Sequence, residues 1–98
     1  MQQLVVIPTY NEIGSIEILL TEILKTIKNL DILVVDGGSN DGTSQAVAQI
    51  VNLEPRVNLI SEGAKRGLGK AYLAGFAWGL ERGTKKLLRW MPIFPIAY

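Results

Sequence analysis

Three short apolar runs, each cut off by a polar or glycine-bearing cluster, constrain this chain more than any other feature. Residues 4–7 are stopped by Pro8, residues 32–35 by Asp36-Gly37-Gly38, and residues 57–60 by Ser61-Glu62-Gly63. Asn58 apart, their apolar residues are consecutive rather than alternating, so both faces of each strand call for burial. That is the pattern of a parallel sheet covered by helices. Helical periodicity fills the gaps. Ile13, Ile16, Leu19, Leu20, Ile23, Leu24 and Ile27 recur at the 3.6-residue period, with Glu17, Glu22, Lys25 and Lys28 off the stripe. Asn11 reads as the N-cap of this helix. A second helix is expected from Asp41 or Thr43, turning Ala46, Val47, Ile50 and Val51 inward, and a third over residues 68–82, stopped by Gly83. The order β-α-β-α-β-α predicts a right-handed parallel α/β unit. Ala71, Gly75 and Gly79 fall on one face of the third helix, which predicts its close approach to the sheet.

Composition narrows the chemistry. The chain has 98 residues, 48% of them hydrophobic, which argues for one small folded domain and against disorder. A net charge of +1 gives no electrostatic case for nucleic acid. With no cysteine and no histidine, there is no thiolate, no disulfide and no imidazole base or ligand. Reactive roles fall to Asp, Glu, Lys, Arg, Tyr, Ser and Thr. The start lacks the features of a signal peptide, and no apolar run reaches the roughly 20 residues that span a bilayer. A cytoplasmic location is expected, with the cytoplasmic face of a membrane open to the chain.

Ligands of parallel α/β sheets bind outside the carboxyl ends of the strands. Three clusters follow the three strands and are expected to meet at that rim. In Pro8-Thr9-Tyr10-Asn11-Glu12, Tyr10 offers a ring to a base or sugar and Glu12 an acceptor to ribose or base. A strand stop, turn and helix cap is the plainer alternative. In Asp36-Gly37-Gly38-Ser39-Asn40-Asp41-Gly42-Thr43, Asp36 is placed to bind a ligand and Asp41 to cap the next helix. Lys65-Arg66-Gly67-Leu68-Gly69-Lys70 fails as a P-loop, because Ala64 stands at the first glycine and Ala71 at the magnesium-binding hydroxyl. The dinucleotide fingerprint fails as well, which argues against an oxidoreductase. What remains is a basic glycine-rich entry to a helix, suited to a phosphate, or else a solvated turn.

Together the segments 5–12, 32–43 and 65–79 resemble the N-terminal half of a family-2 glycosyltransferase of GT-A fold, nearest the polyprenol-phosphate (dolichol-phosphate) mannosyltransferases. Pro8-Thr9-Tyr10-Asn11-Glu12 matches the opening motif, and Asp36 the first acid of a Val-Asp-Asp-Gly-Ser-x-Asp-Gly-Thr motif in which Gly37 replaces the second acid. Gly67-Leu68-Gly69-Lys70-Ala71-Tyr72 matches the branch's glycine-rich segment. The resemblance covers residues 4–83. It implies that Pro8, Tyr10, Glu12 and Asp36 contact the nucleotide of a GDP- or UDP-sugar. Lys65, Arg66 and Lys70 would lie near the diphosphate or the acceptor phosphate. It further implies mannose transfer to a polyprenol phosphate, with a Mg or Mn ion in the intact enzyme.

The family's next strand ends in an Asp-x-Asp metal motif and lies beside the first strand. Here residues 84–98 hold no acid, and Pro92 and Pro95 interrupt any central element. An irregular tail over 84–98 is therefore expected, following a nucleotide-binding unit over 1–83. Read one base out of frame, Trp90-Met91-Pro92 encodes Asp-Ala whatever codons are used. With one T restored after the Gly83 codon, an allowed coding gives Gly-Tyr-Lys-Lys-Ile-Ile-Glu-Met-Asp-Ala-Asp-Phe-Ser-His-Arg-Leu. A one-base loss near Gly83-Thr84 explains the tail. An independently evolved apolar tail is the alternative, and the gene sequence decides. A lost fourth strand would leave the first strand as an open edge, prone to self-association. Such a chain is expected not to transfer sugar by itself. It would act as a nucleotide-binding module, or as a non-catalytic fragment whose residues 90–96 touch a membrane or partner.

Overall fold

A computed structural model describes residues 1–64 and 66–90. Its elements run β1 (Gln3–Thr9), α1 (Ile16–Thr26), β2 (Asp31–Asp36), α2 (Thr43–Leu53), β3 (Val57–Ser61), α3 (Leu68–Glu81) and β4 (Lys86–Arg89). The four strands form one sheet in the order β3-β2-β1-β4, with every pair parallel. Consecutive side chains of a strand point to opposite faces, and here each face has its own helical cover. Val5, Ile7, Ile32, Val34 and Val57 pack with Ile16, Leu20 and Ile23 of α1 and Val47 of α2. Leu4, Val6, Leu33 and Val35 pack with Ala71 and Tyr72 of α3. Two covered faces are why residues 4–8 of β1 and 32–35 of β2 are apolar without a break. Each fully buried aliphatic side chain stabilises by about 1.5–3 kcal/mol.

The small-residue face of α3 does what the spacing implies. A Cβ at Gly75 would collide with the Val6 side chain, and one at Gly79 would lie 2.8 Å from both Leu4 and Leu87. The helix ends at a left-handed Gly83 (φ 72°). There the Gly83 amide donates to the Leu80 carbonyl and the Thr84 amide to Gly79, which closes a Schellman turn.

Two expectations are corrected. Helix α1 starts at Ile16, not at Asn11. Asn11 sits in the left-handed region (φ 53°) and breaks the helical path. Consequently Ile13 precedes the helix and Ile27 follows it, with 42% and 41% exposure. Nor is the whole of 84–98 irregular, since Lys86–Arg89 pairs with β1 from Gln3↔Lys86 to Val6↔Arg89. Physically, Leu87 packs against the core under α3, Leu88 and Trp90 pack against the core under α1 and α2, and no proline arises before Pro92. The Trp90 amide extends the ladder by donating to the Val6 carbonyl at 3.0 Å. The open edge expected on β1 is therefore covered over residues 3–6, and β4 is the outer strand on that side among the described residues. Pro92, Pro95 and the rest of 91–98 lie outside the described residues.

Candidate functional site

The first two clusters meet as expected at the carboxyl rim. What joins them is a set of bonds between loops far apart in sequence. Asp36, at the end of β2, is 1% exposed. Its Oδ1 accepts from Thr9 Oγ1 at 2.8 Å and from Ser39 Oγ at 2.6 Å, and its Oδ2 accepts from the Ser39 amide at 2.9 Å. Its carbonyl accepts from the Glu62 amide at 2.9 Å, which ties in the third loop. Gly38 takes a positive φ of 81°, and a Cβ there would lie 2.9 Å from the Gly63 carbonyl oxygen. All three loops are thus in contact.

Three successive amides of the first loop are received by the second. The Asn11 amide donates to Ser39 Oγ (2.8 Å), which donates onward to Asp36. The Glu12 amide donates to Thr43 Oγ1 (2.8 Å), which donates onward to Asp41 Oδ1 (2.5 Å). The Ile13 amide donates to Asp41 Oδ2 (3.2 Å). In return, the Asn40 amide donates to Asn11 Oδ1 at 2.9 Å. Asp41 also receives the Thr43 amide at 3.0 Å, but the expected cap is displaced by one residue, since a left-handed Gly42 (φ 97°) holds the N-cap position and Asp41 bonds from just before it. Thr9 and Ser39 carry no local signal of this role, and the sequence marks Asn11 and Thr43 only as helix starts. Short hydroxyl and amide side chains at turns commonly bond backbone, but nothing local tells which distant loop supplies the partner.

The candidate site residues divide by exposure. Pro8 is buried within β1, opposite Val35. Val6 offers its carbonyl to Trp90 while Thr9 offers its own to Gly37 on the β2 side. The alternation turns the nitrogen of Pro8 toward the β4 side, beyond the last paired residue there, so its missing donor breaks no ladder bond. Tyr10 and Glu12 are half-buried, and Arg66 and Lys70 are exposed at the start of α3. Lys65 lies outside the described residues. Burial pushes the Glu12 carboxyl above its ordinary value, and the charges of Asp36 and Asp41 add to this, against a bond from the Tyr10 amide. The Thr43 hydroxyl and neighbouring amides hold Asp41 below the ordinary range. At the far side of the rim, Tyr72 Oη donates to the Trp90 carbonyl (2.5 Å), and the Arg89 guanidinium lies 5.6 Å over the Tyr72 ring. These contacts pin the end of β4 to α3.

The rim presents an aromatic ring, a carboxylate acceptor and a basic helix start, which suits a nucleotide diphosphate. Metal is a different matter. Among the described residues no three acids cluster as a cation site, and the Asp36 and Asp41 oxygens already accept internal donors. The described residues do not fit a metal. A cavity of about 740 Å³ opens at the opposite rim, between Gln2, Asp31 and Arg56. It holds none of the residues of the three clusters.

A parallel sheet in this order, with polar loops gathered at its carboxyl rim, defines the N-terminal part of a GT-A unit. The model of Glycosyl transferase family 2 matches residues 4–80, and the chain belongs to that family. It is 45% identical over 88 residues to an undecaprenyl-phosphate mannosyltransferase of Micrococcus luteus, covering 90% of this chain and 36% of that protein. It is 43% identical over 86 residues to a polyprenol monophosphomannose synthase of Mycolicibacterium smegmatis, covering 87% and 32%. Among solved structures it is similar to the mannosyltransferase PcManGT from Pyrobaculum calidifontis in complex with GDP-Man and Mn2+. The TM-score is 0.72 at 32% identity, over 79% of this chain and 24% of that one. The chain thus spans about a third or less of the length of these relatives.

Proposed function

We propose that this chain is the nucleotide-sugar-binding part of a polyprenol-phosphate mannosyltransferase and that its ligand is GDP-mannose or a close GDP- or UDP-sugar. The observation that carries the reading is the stitching of the Tyr10–Glu12 turn onto the Asp36–Thr43 loop, which holds a ring and an acceptor at the carboxyl rim. In this reading Tyr10 packs against the base and Glu12 accepts from ribose or base. Asp36 acts from beneath, because its oxygens are taken up by Thr9 and Ser39. Pro8 shapes the strand end. Arg66, Lys70 and the first amides of α3 face the diphosphate or the acceptor phosphate, and the same role for Lys65 rests on the sequence motif alone. A bound divalent ion would neutralise the leaving diphosphate, but the described acids are not arranged to hold it. Transfer to a polyprenol phosphate at a cytoplasmic membrane face is therefore a function of the longer fold. Alone, this chain binds nucleotide without turnover and self-associates through the β4 edge.

Calorimetry with GDP and UDP tests the reading. Weak binding of one nucleotide, lost in Tyr10→Ala, is expected, and binding of neither would overturn it. The nearest rival is a binding module whose tail is native. We further propose the one-base loss near Gly83. Sequencing the gene tests it, and absence of a long reopened frame carrying Asp-Ala-Asp would end the idea.

A further inference from the structure

Asn11 is one of two non-glycine residues with positive φ among the described residues, and it stands between the two side chains offered to the nucleotide. A left-handed backbone is tolerated best by glycine and, among side-chain-bearing residues, by asparagine and aspartate. At this position the conformation is held from two directions. The Asn11 amide donates to Ser39 Oγ, and Asn11 Oδ1 accepts from the Asn40 amide. Ser39 Oγ can serve the Asn11 amide only as an acceptor, and its own proton is committed to Asp36 Oδ1 at 2.6 Å. Its rotor is therefore fixed by a carboxylate buried beneath it. The Thr43 hydroxyl repeats the arrangement one residue on, accepting from the Glu12 amide and donating to Asp41.

We propose that Asn11 and Ser39 form a positioning clamp that holds the Tyr10–Glu12 turn in its ligand-ready conformation before nucleotide arrives. The clamp touches no ligand itself. It lowers the ordering cost that binding would otherwise carry, since a turn free to sample other conformations must be fixed at the moment of association. The proposal rests on the nucleotide-binding reading above.

The test compares wild type with Asn11→Gly, Ser39→Ala and Ser39→Thr, by calorimetry with GDP and UDP and by thermal melting. Glycine accepts the left-handed backbone but loses the Asn40 bond and gains freedom. It should weaken nucleotide binding about threefold to tenfold, the weight of one modest hydrogen bond plus backbone ordering. The melting midpoint should stay within about 3 °C of wild type. Ser39→Ala should weaken binding to a similar degree, and Ser39→Thr should restore it by returning the hydroxyl. Hydrogen exchange of the Asn11 amide supplies a ligand-free readout, with protection lost in Ser39→Ala and kept in Ser39→Thr. Equal affinity of wild type and Asn11→Gly, or unchanged exchange at Asn11 in Ser39→Ala, would overturn the clamp while leaving the nucleotide reading intact. Failure of wild type to bind either nucleotide would overturn that reading and, with it, the ligand-serving role of the clamp.

Discussion

The two rims of the sheet solve opposite chemical problems with opposite means. At the amino rim the exposed groups are carbonyls, left over where α1 ends. Arg56 answers with its guanidinium, donating from Nε to the Leu30 carbonyl (2.9 Å) and from its two terminal nitrogens to Leu24 (3.2 Å) and Ile27 (2.5 Å). One planar cation with a fork of donors closes the helix end and complements its negative pole. At the carboxyl rim the exposed groups are amides, and acceptors answer: Ser39, Thr43, Asp36 and Asp41. The cation ends a helix and is used up in doing so. The acceptors hold a turn whose side chains remain directed to the rim. Stability and ligand readiness should therefore separate when each rim is cut.

The largest effect is expected at Asp36. Replacing it with alanine leaves the buried Thr9 hydroxyl and both donors of the half-buried Ser39 without their partner, which costs about 3 kcal/mol. Urea unfolding should show that loss, and nucleotide affinity should fall with it. A variant that unfolds like wild type would show that the carboxyl rim is not held from beneath. Arg56→Ala comes next. It removes charge-assisted bonds to three carbonyls, for about 2 kcal/mol of stability because the site is partly exposed. Nucleotide affinity should not change. Arg56→Lys should recover less than half, since an ammonium lacks the planar fork. If Arg56→Ala weakened nucleotide binding as strongly as Asp36→Ala, the two rims would not be separable.

Much of this contrast was hidden in the sequence for a stateable reason. The strand ends, the parallel sheet and the close approach of Gly75 and Gly79 follow from local pattern, because consecutive apolar residues and four-residue spacing are local properties. Tyr10, Glu12 and Asp36 were legible as rim residues on the same ground. The clamp was not, because the bonds from Asn11 to Ser39 and Asn40 cross 28 and 29 residues. Asn11 looked like a helix cap, as its residue type allows, yet tertiary partners pull it into a left-handed turn. The fourth strand was missed similarly. Four residues, Lys86 to Arg89, carry little strand signal on their own, and β1 supplies the ladder that makes them a strand.

Acid titration tests the carboxyl rim more finely. Burial raises the Glu12 carboxyl above its ordinary 4.5. The folded state therefore holds that proton more tightly than the unfolded chain, and the penalty for ionising Glu12 grows as pH rises from about 4.5 through the raised value. Asp41 runs the other way. Its depressed carboxyl contributes stability that is present above its ordinary 3.8 and is lost as pH falls through the lowered value. Glu12→Gln should flatten the first slope and leave the second, in urea midpoints taken from pH 3 to 7. An unchanged slope above 4.5 would mean that Glu12 is solvated as freely in the folded chain as in the unfolded one.

The smallest effect lies at the amino rim, where β4 begins beside Gln3, and calibrates both rims. Thr84 is buried where α3 hands over to β4, and its Oγ1 finds no hydrogen-bond partner among the described residues. Its backbone amide already closes the Schellman turn at Gly79, so the side chain there needs shape rather than polarity. Thr84→Val keeps the volume and removes the buried hydroxyl, which should stabilise by about 1 kcal/mol. Nucleotide affinity should stay at its wild-type value. A stabilised variant with wild-type affinity would show that stability and binding move independently in this small sheet. Destabilisation would instead reveal a donor or acceptor that Thr84 serves, and would place a polar contact at the junction where β4 joins the fold.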